Sequence, residues 1–150
     1  MGDQERLQAL EDRLRQLEDL LEIQQLFINY GHYLDAGDFG SYAELFTEDA
    51  ELLLGPVAKV SGRKAIEAAM VKTMDGRVGT SIHVISNPMI QLDGDTATSE
   101  VMWTVLGRTP EGPPTVTMVG RHRDDLVRQD GRWLFQRRRG FIDMPTTIRL

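Results

Sequence analysis

Of the many side chains in this 150-residue sequence whose types could move a proton, three stand out: the carboxylate of Asp35, the imidazole of His83 and the phenol of Tyr30. Two of them lie in one short stretch, "YGHYLDAGD", residues 30–38. Ile23, Phe27, Tyr30 and Leu34 step 4, 3, 4 and make one apolar helical stripe, so the Tyr30 ring points inward. A buried phenol needs a hydrogen-bond partner, supplied by a neighbour or by a ligand. Glu18, Glu22, Gln25, Asn29 and His32 form the opposite, polar stripe, which sends His32 to solvent or to a subunit contact. Tyr33 falls at a packing edge. Asp35 follows Leu34 at the edge of the apolar stripe, with Gly31 one turn earlier leaving room beside it. A carboxylate near a helix C-terminus is opposed by the macrodipole unless a positive group compensates, and a histidine that gains a proton would do so. His83, between Ile82 and Val84 in a strand, is the candidate. A lone strand histidine is more often structural; paired with a carboxylate, its tautomer is fixed and its imidazolium stabilised.

His122 and Asp124, two apart on a strand, share a face and with His83 would make the two-histidine, one-carboxylate set of non-haem iron. Arg121 and Arg123 flank them and the set is easily matched by chance, so no metal is expected. In Arg137, Arg138 and Arg139 the middle side chain faces opposite to the other two, which excludes a continuous basic patch. Salt bridges on a solvated or interfacial sheet face are the favoured reading, with a pocket arginine as the alternative. No phosphate loop, nucleophile elbow or dinucleotide fingerprint is present, and no cofactor is expected. Cysteine is absent, which removes thiol catalysis, disulfides and cysteine-ligated metals. The net charge of −6 argues against nucleic acid as a partner. No apolar run reaches membrane-spanning length, and the polar, helical start does not read as an export leader, so the cytoplasm is the expected compartment.

The elements that must position these residues run helices first, strands after. Residues 4–35 read as one long helix or two in line. Leu7, Leu10, Leu14, Leu17 and Leu21 step 3, 4, 3, 4 on it as a short heptad seam. Two heptads do not hold a coiled coil alone, but a seam extending past the core suggests a partner surface. Ser41 and Glu44 form a capping-box pattern for a short helix through "SYAELF", and "EDAELLL" leads into a strand to which "VAKV" can pair back across Gly55-Pro56. "SGRKAIEAAMVKTM" is a third helix with Ala65, Ile66, Ala69 and Met70 buried. From residue 80, "SIHVISNPMIQL", "TATSEVMWTVLGRT", "TVTMVGRHRDDLVR" and "WLFQRRRGFI", separated by turn residues, make a four-strand meander, with Pro88 marking a bulge or bend. The expected fold class is α+β, a cone in which a curved, mostly antiparallel sheet wraps around the N-terminal helices and encloses a pocket. The length suits one domain over residues 1–150, with 1–20 as a helical extension.

"YGHYLDAGDFGSYAELFTEDAEL", "SGRKAIEAAM", "SIHVISNP" and "DLVRQDGRWLF", in this order over roughly residues 20–142, resemble the SnoaL-like branch of the nuclear-transport-factor-like superfamily. That branch includes scytalone dehydratase, hexachlorocyclohexane dehydrochlorinase, bile-acid dehydratase and polyketide cyclases. The superfamily also holds dioxygenase small subunits and non-catalytic binding proteins. The resemblance implies the cone fold and an aspartate–histidine pair at Asp35 and His83. Tyr30 matches the helix tyrosine of the bile-acid enzyme. "MWTVLGRT" lacks both the further acid of the bile-acid dehydratase and the second pocket histidine of scytalone dehydratase, so substrate and leaving group do not carry over.

The resulting expectation is a cofactor-independent lyase or isomerase, dehydratase-like, acting on a hydrophobic cyclic small molecule. His83 is the base, Asp35 its orienting partner and Tyr30 the hydrogen-bond donor to the substrate. Phe27, Phe46, Met102, Trp103, Met118 and His122 are the expected lining of the substrate pocket. A binding module or accessory subunit is the alternative, with cyclisation a further option. A homodimer or homotrimer is the expected assembly.

Overall fold

A computed structural model describes residues 2–108 and 110–144 of the chain. Thr109, at the end of the second long β stretch, and residues 145–150 of the expected domain lie outside the described residues.

The heptad seam and the apolar stripe merge into one uninterrupted helix, α1, Asp3–Ala36. The Gly2 N–H donates to Glu5 at 2.9 Å and closes its N-terminus. Gly37, at φ 71°, takes the left-handed turn that ends it, and its N–H and that of Asp38 return to Leu34 and Tyr33 carbonyls. The first buried residue of α1 is Asp19, so the helix projects about four turns before it meets the sheet.

The short helix α2 spans Phe39–Ala43 and starts earlier than the Ser41–Glu44 pattern predicts. Asp38 is its cap, accepting from the Ser41 N–H at 3.1 Å, because Gly37 has already released the chain from α1 at that point. Strand β1, Phe46–Leu53, pairs antiparallel with β2, Lys59–Ser61, and α3 follows over Arg63–Thr73. Ile66 and Met70 of α3 are buried; Ala65 and Ala69 are only partly covered.

Strands β3 (Ser81–Asp93), β4 (Thr96–Gly107), β5 (Thr115–Gln129) and β6 (Arg132–Met144) form the expected antiparallel meander. The β3–β4 register slips between Ser86 and Met89, around Asn87-Pro88, where Asn87 has φ 52°. One pairing is not visible in the sequence pattern. β1 lies parallel to β6, which gives the sheet order β2-β1-β6-β5-β4-β3. Six strands with helices on one face make the expected α+β architecture. Ile23, Phe27, Tyr30 and Leu34 of α1 pack with Phe46, Leu52, Leu126, Trp133 and Phe135 in its core.

Candidate functional site

The end of α1 and the start of β3 meet at the open edge of the sheet. Strand β3 is an edge strand, so alternate N–H groups along it lack a ladder partner. Asp35 supplies one: the His83 backbone N–H donates to Asp35 Oδ1 and Oδ2 at 3.0 and 3.1 Å. The same carboxylate lies 2.7 Å from His83 Nδ1. A carboxylate only accepts, so Nδ1 carries a proton, and in the neutral tautomer this leaves the lone pair on Nε2. The helix can approach this closely because residue 31 is glycine. A Cβ there would sit 3.2 Å from both the His83 carbonyl oxygen and Ile85 Cγ1.

His83 opens onto a cavity of about 510 Å³ between the sheet, the end of α1, α3 and the 54–57 turn. Its wall includes Tyr30, Leu34, Ile85, Trp103, Val105, Met118 and His122; Asp35 is not part of it. Asp35 therefore stands behind His83 and leaves Nε2 for whatever the cavity holds.

Trp103, Met118 and His122 lie on the wall. Three other expected lining residues do not. Phe27 and Phe46 are buried against Phe135, with ring centroids 6.1 and 5.2 Å away, because the apolar stripe of α1 and the first residue of β1 meet the sheet below the cavity. Met102 alternates with Trp103 on β4 and faces the other side of the sheet, where Asn87 Nδ2 donates to its sulfur at 3.2 Å. His32 is exposed, and Tyr33 packs at the edge of the core.

Beneath the cavity lies a buried polar cluster that the sequence disclosed only in part. Arg138 is the inward member of the arginine run, not a residue of a solvated face. Its Nε and Nη2 donate to Asp124 at 2.7 and 3.0 Å, and Ser99 Oγ donates to Asp124 at 3.0 Å. The pair is fully buried. The Arg138 guanidinium lies 4.2 Å from the Tyr30 ring centroid and 4.1 Å from that of Phe135. Burial works against its charge, but the Asp124 carboxylate more than offsets this and holds the pKa above the usual arginine value. Asp124 is therefore committed to Arg138 and not to a histidine. Among the described residues no cluster of histidine, aspartate and glutamate has the geometry of a metal site.

Arg138 also acts on its neighbours. His122 packs edge-on to Tyr30, centroids 5.3 Å apart, with its Nδ1 buried and bonded to none of the described residues. Burial, then the Arg138 cation, then His83 hold its pKa well below the usual histidine value, so it is neutral at physiological pH. Burial raises the Tyr30 pKa and the Arg138 cation partly counters that; the phenol stays protonated and able to donate.

Sequence reasoning did not find the rim. Arg121 donates to Asp143 through Nε and Nη2 at 2.9 and 3.0 Å, and both residues border the cavity. Gly120 carried the missed signal. A Cβ there would come within 2.4 Å of the Trp103 indole and 2.0 Å of the Phe141 carbonyl, so only glycine lets that indole lie across β5.

The SnoaL-like domain model matches residues 15–139, most of the chain. The chain belongs to the SnoaL-like domain family. An NTF2-like protein with a cystatin-like fold from Novosphingobium aromaticivorans superposes with a TM-score of 0.85 at 30% identity, over 91% of this chain and 90% of that one. A protein of the same organism carried under the provisional name of scytalone dehydratase gives 0.74 at 27% identity, over 86% and 87%. Aln2 from a Streptomyces species gives 0.75 at 27%, over 84% and 91%. An uncharacterised Mycobacterium tuberculosis protein is 30% identical over 87 residues, 58% of this chain. The match spans only 59% of that relative's own length. This SnoaL-like chain thus has the NTF2-like, cystatin-like fold. No described helix is long and apolar enough to cross a membrane.

Proposed function

We propose that this SnoaL-like protein is a cofactor-independent lyase or isomerase of the dehydratase type, acting on a hydrophobic cyclic small molecule. The carrying observation is the 2.7 Å contact between Asp35 Oδ1 and His83 Nδ1, with the imidazole on the wall of the cavity and the carboxylate behind it. In this reading His83 Nε2 takes a proton from a carbon next to a substrate carbonyl. Asp35 holds the tautomer and stabilises the imidazolium. The protonated Tyr30 phenol, and the neutral His122 ring, can donate to the carbonyl oxygen as charge develops on it. In an elimination the C–H electron pair forms the new double bond, the C–O bond breaks, and the imidazolium returns its proton to the leaving hydroxide as water. The balance closes without an external reductant or oxidant. A volume of about 510 Å³ suits a small organic ligand, and a structural relative bearing the scytalone dehydratase name supports the same reaction class.

One observation favours a second reading. Both Asp35 oxygens accept from the His83 backbone N–H, so this carboxylate would tie β3 to α1 even in a non-catalytic binding protein. The experiment that separates the two incubates the protein with a panel of hydroxylated cyclic ketones in D₂O. Carbon-bound deuterium and loss of water are followed by mass spectrometry. For the enzyme we expect His83→Ala to lower turnover by about 10²–10⁴-fold, and Asp35→Asn to lower it strongly, with circular dichroism unchanged. Full turnover in both folded variants rejects the dyad, and binding without exchange favours the second reading.

A further inference from the structure

The seam on α1 continues beyond the two heptads evident from the leucines. With Leu7 at heptad position a, Leu14, Leu21 and Ile28 occupy the later a positions, and Leu10 and Leu17 occupy d, followed by Gln24. All six apolar members are exposed, by 56% to 66%. They lie on the side of α1 roughly opposite to Ile23, Leu26, Phe27 and Tyr30, which pack on the sheet. The seam stops after Ile28 because the next d position is Gly31, which touches His83 and Ile85. It is about 32 Å long at 1.5 Å per residue.

Charges flanking the seam identify what covers it. Along the projecting part of the helix the g positions are Arg6 and Arg13, and the e positions are Glu11 and Glu18. In a parallel two-stranded coiled coil, g of one helix meets the e position five residues on in the other. Arg6 then faces Glu11 of the second copy and Arg13 faces Glu18, four ion pairs in all by symmetry. In an antiparallel pair g meets g and e meets e, placing arginine against arginine and glutamate against glutamate. None of these four residues joins an ion pair among the described residues of the chain.

We propose that α1 is a self-association helix, pairing parallel and in register with α1 of a second copy through Leu7, Leu10, Leu14, Leu17, Leu21 and Ile28. The polar Gln24 within the seam favours alignment with its own counterpart, which restricts the register. The sheet bodies then lie on the outer sides of the paired helices.

The absence of cysteine makes the test direct. Leu7→Cys and Leu21→Cys, made separately in the full chain, place a thiol opposite its own copy only in a parallel, in-register pair. We expect both to oxidise to disulfide-linked dimers. An antiparallel pair would hold each far from its counterpart, and failure of both overturns the proposal. Light scattering is expected to show the mass halved in Leu10→Glu/Leu17→Glu with the β-sheet signal intact; an unchanged mass also overturns it. Glu11→Arg/Glu18→Arg and Arg6→Glu/Arg13→Glu should each weaken self-association alone, and mixing the two should restore it as a heterodimer. A mixture that stays unassociated rejects the charge pairing.

Discussion

The fold resists the protonation of His122. This residue is buried against Tyr30 and Trp103, the Arg138 cation lies beneath it, and its pKa is held well below the usual histidine value of 6.5. The unfolded chain therefore binds a proton at this site below about pH 6.5 while the folded chain does not. Stability is full above that pH and falls as the pH drops, by up to about 1.4 kcal/mol per pH unit from this group. In His122→Gln we expect that part of the slope to vanish between about pH 6.5 and 5, measured by urea denaturation at several pH values. An unchanged slope would mean that another group carries the acid sensitivity. Residue-scale legibility followed how local each signal was. Tyr30 and His32 were readable because helical spacing separates inside from outside. Arg138 was half readable: alternation set it apart from Arg137 and Arg139, but which side faced inward depended on Asp124, 14 positions away on the neighbouring strand. Met102 shares its hydrophobicity with Trp103 but not its strand parity, which sends it to the other face of the sheet.

Between elements, the tightest tolerance lies where α1 crosses β3. Asp35 reaches both the backbone and the ring of His83 only because Gly31 lets the helix lie against the strand. In Gly31→Ala the new Cβ meets the His83 carbonyl and Ile85 at 3.2 Å, and helix and strand must part by a few tenths of an ångström. Helix propensity favours alanine by about 1 kcal/mol, so the helix itself gains while the contact loses. We expect Gly31→Ala to change global stability little but to weaken the Asp35–His83 bond, read as an upfield shift of the His83 Nδ1 proton by NMR. A shift identical to wild type would show that the neighbours absorb the methyl. Elements with strong local signals, α1, α3 and the β3–β6 meander, were legible in the sequence. The α2 start was displaced because Asp38, not Ser41, meets the N–H left free after Gly37. The parallel β1–β6 pairing joins residues more than 80 apart, and no periodicity encodes it.

For the whole molecule, the proposed association through α1 would be coupled to folding, because the helix is continuous from the projecting seam into the core. Asp19 fixes the crossing point: it accepts from the Trp133 indole at 3.0 Å and pairs with Arg128, which also bonds Asp95 at 2.7 Å. Helix α1 is thereby bound to both the β5–β6 and β3–β4 hairpins at the place where the overhang begins. A helix pair formed by residues 7–28 cannot separate from the body without breaking α1, so any free energy of association stabilises the body by mass action. The thermal midpoint of the wild-type chain should therefore rise with protein concentration. For a dimer unfolding to two chains, each tenfold increase adds about 1.4 kcal/mol to the apparent stability per dimer. In Leu10→Glu/Leu17→Glu the midpoint should be independent of concentration and equal to the dilute limit of wild type, because the substituted side chains are exposed and lie outside the core of their own chain. Scanning calorimetry over two decades of concentration checks both. A wild-type midpoint that does not move, like the one expected of the dissociated variant, would count against association through α1.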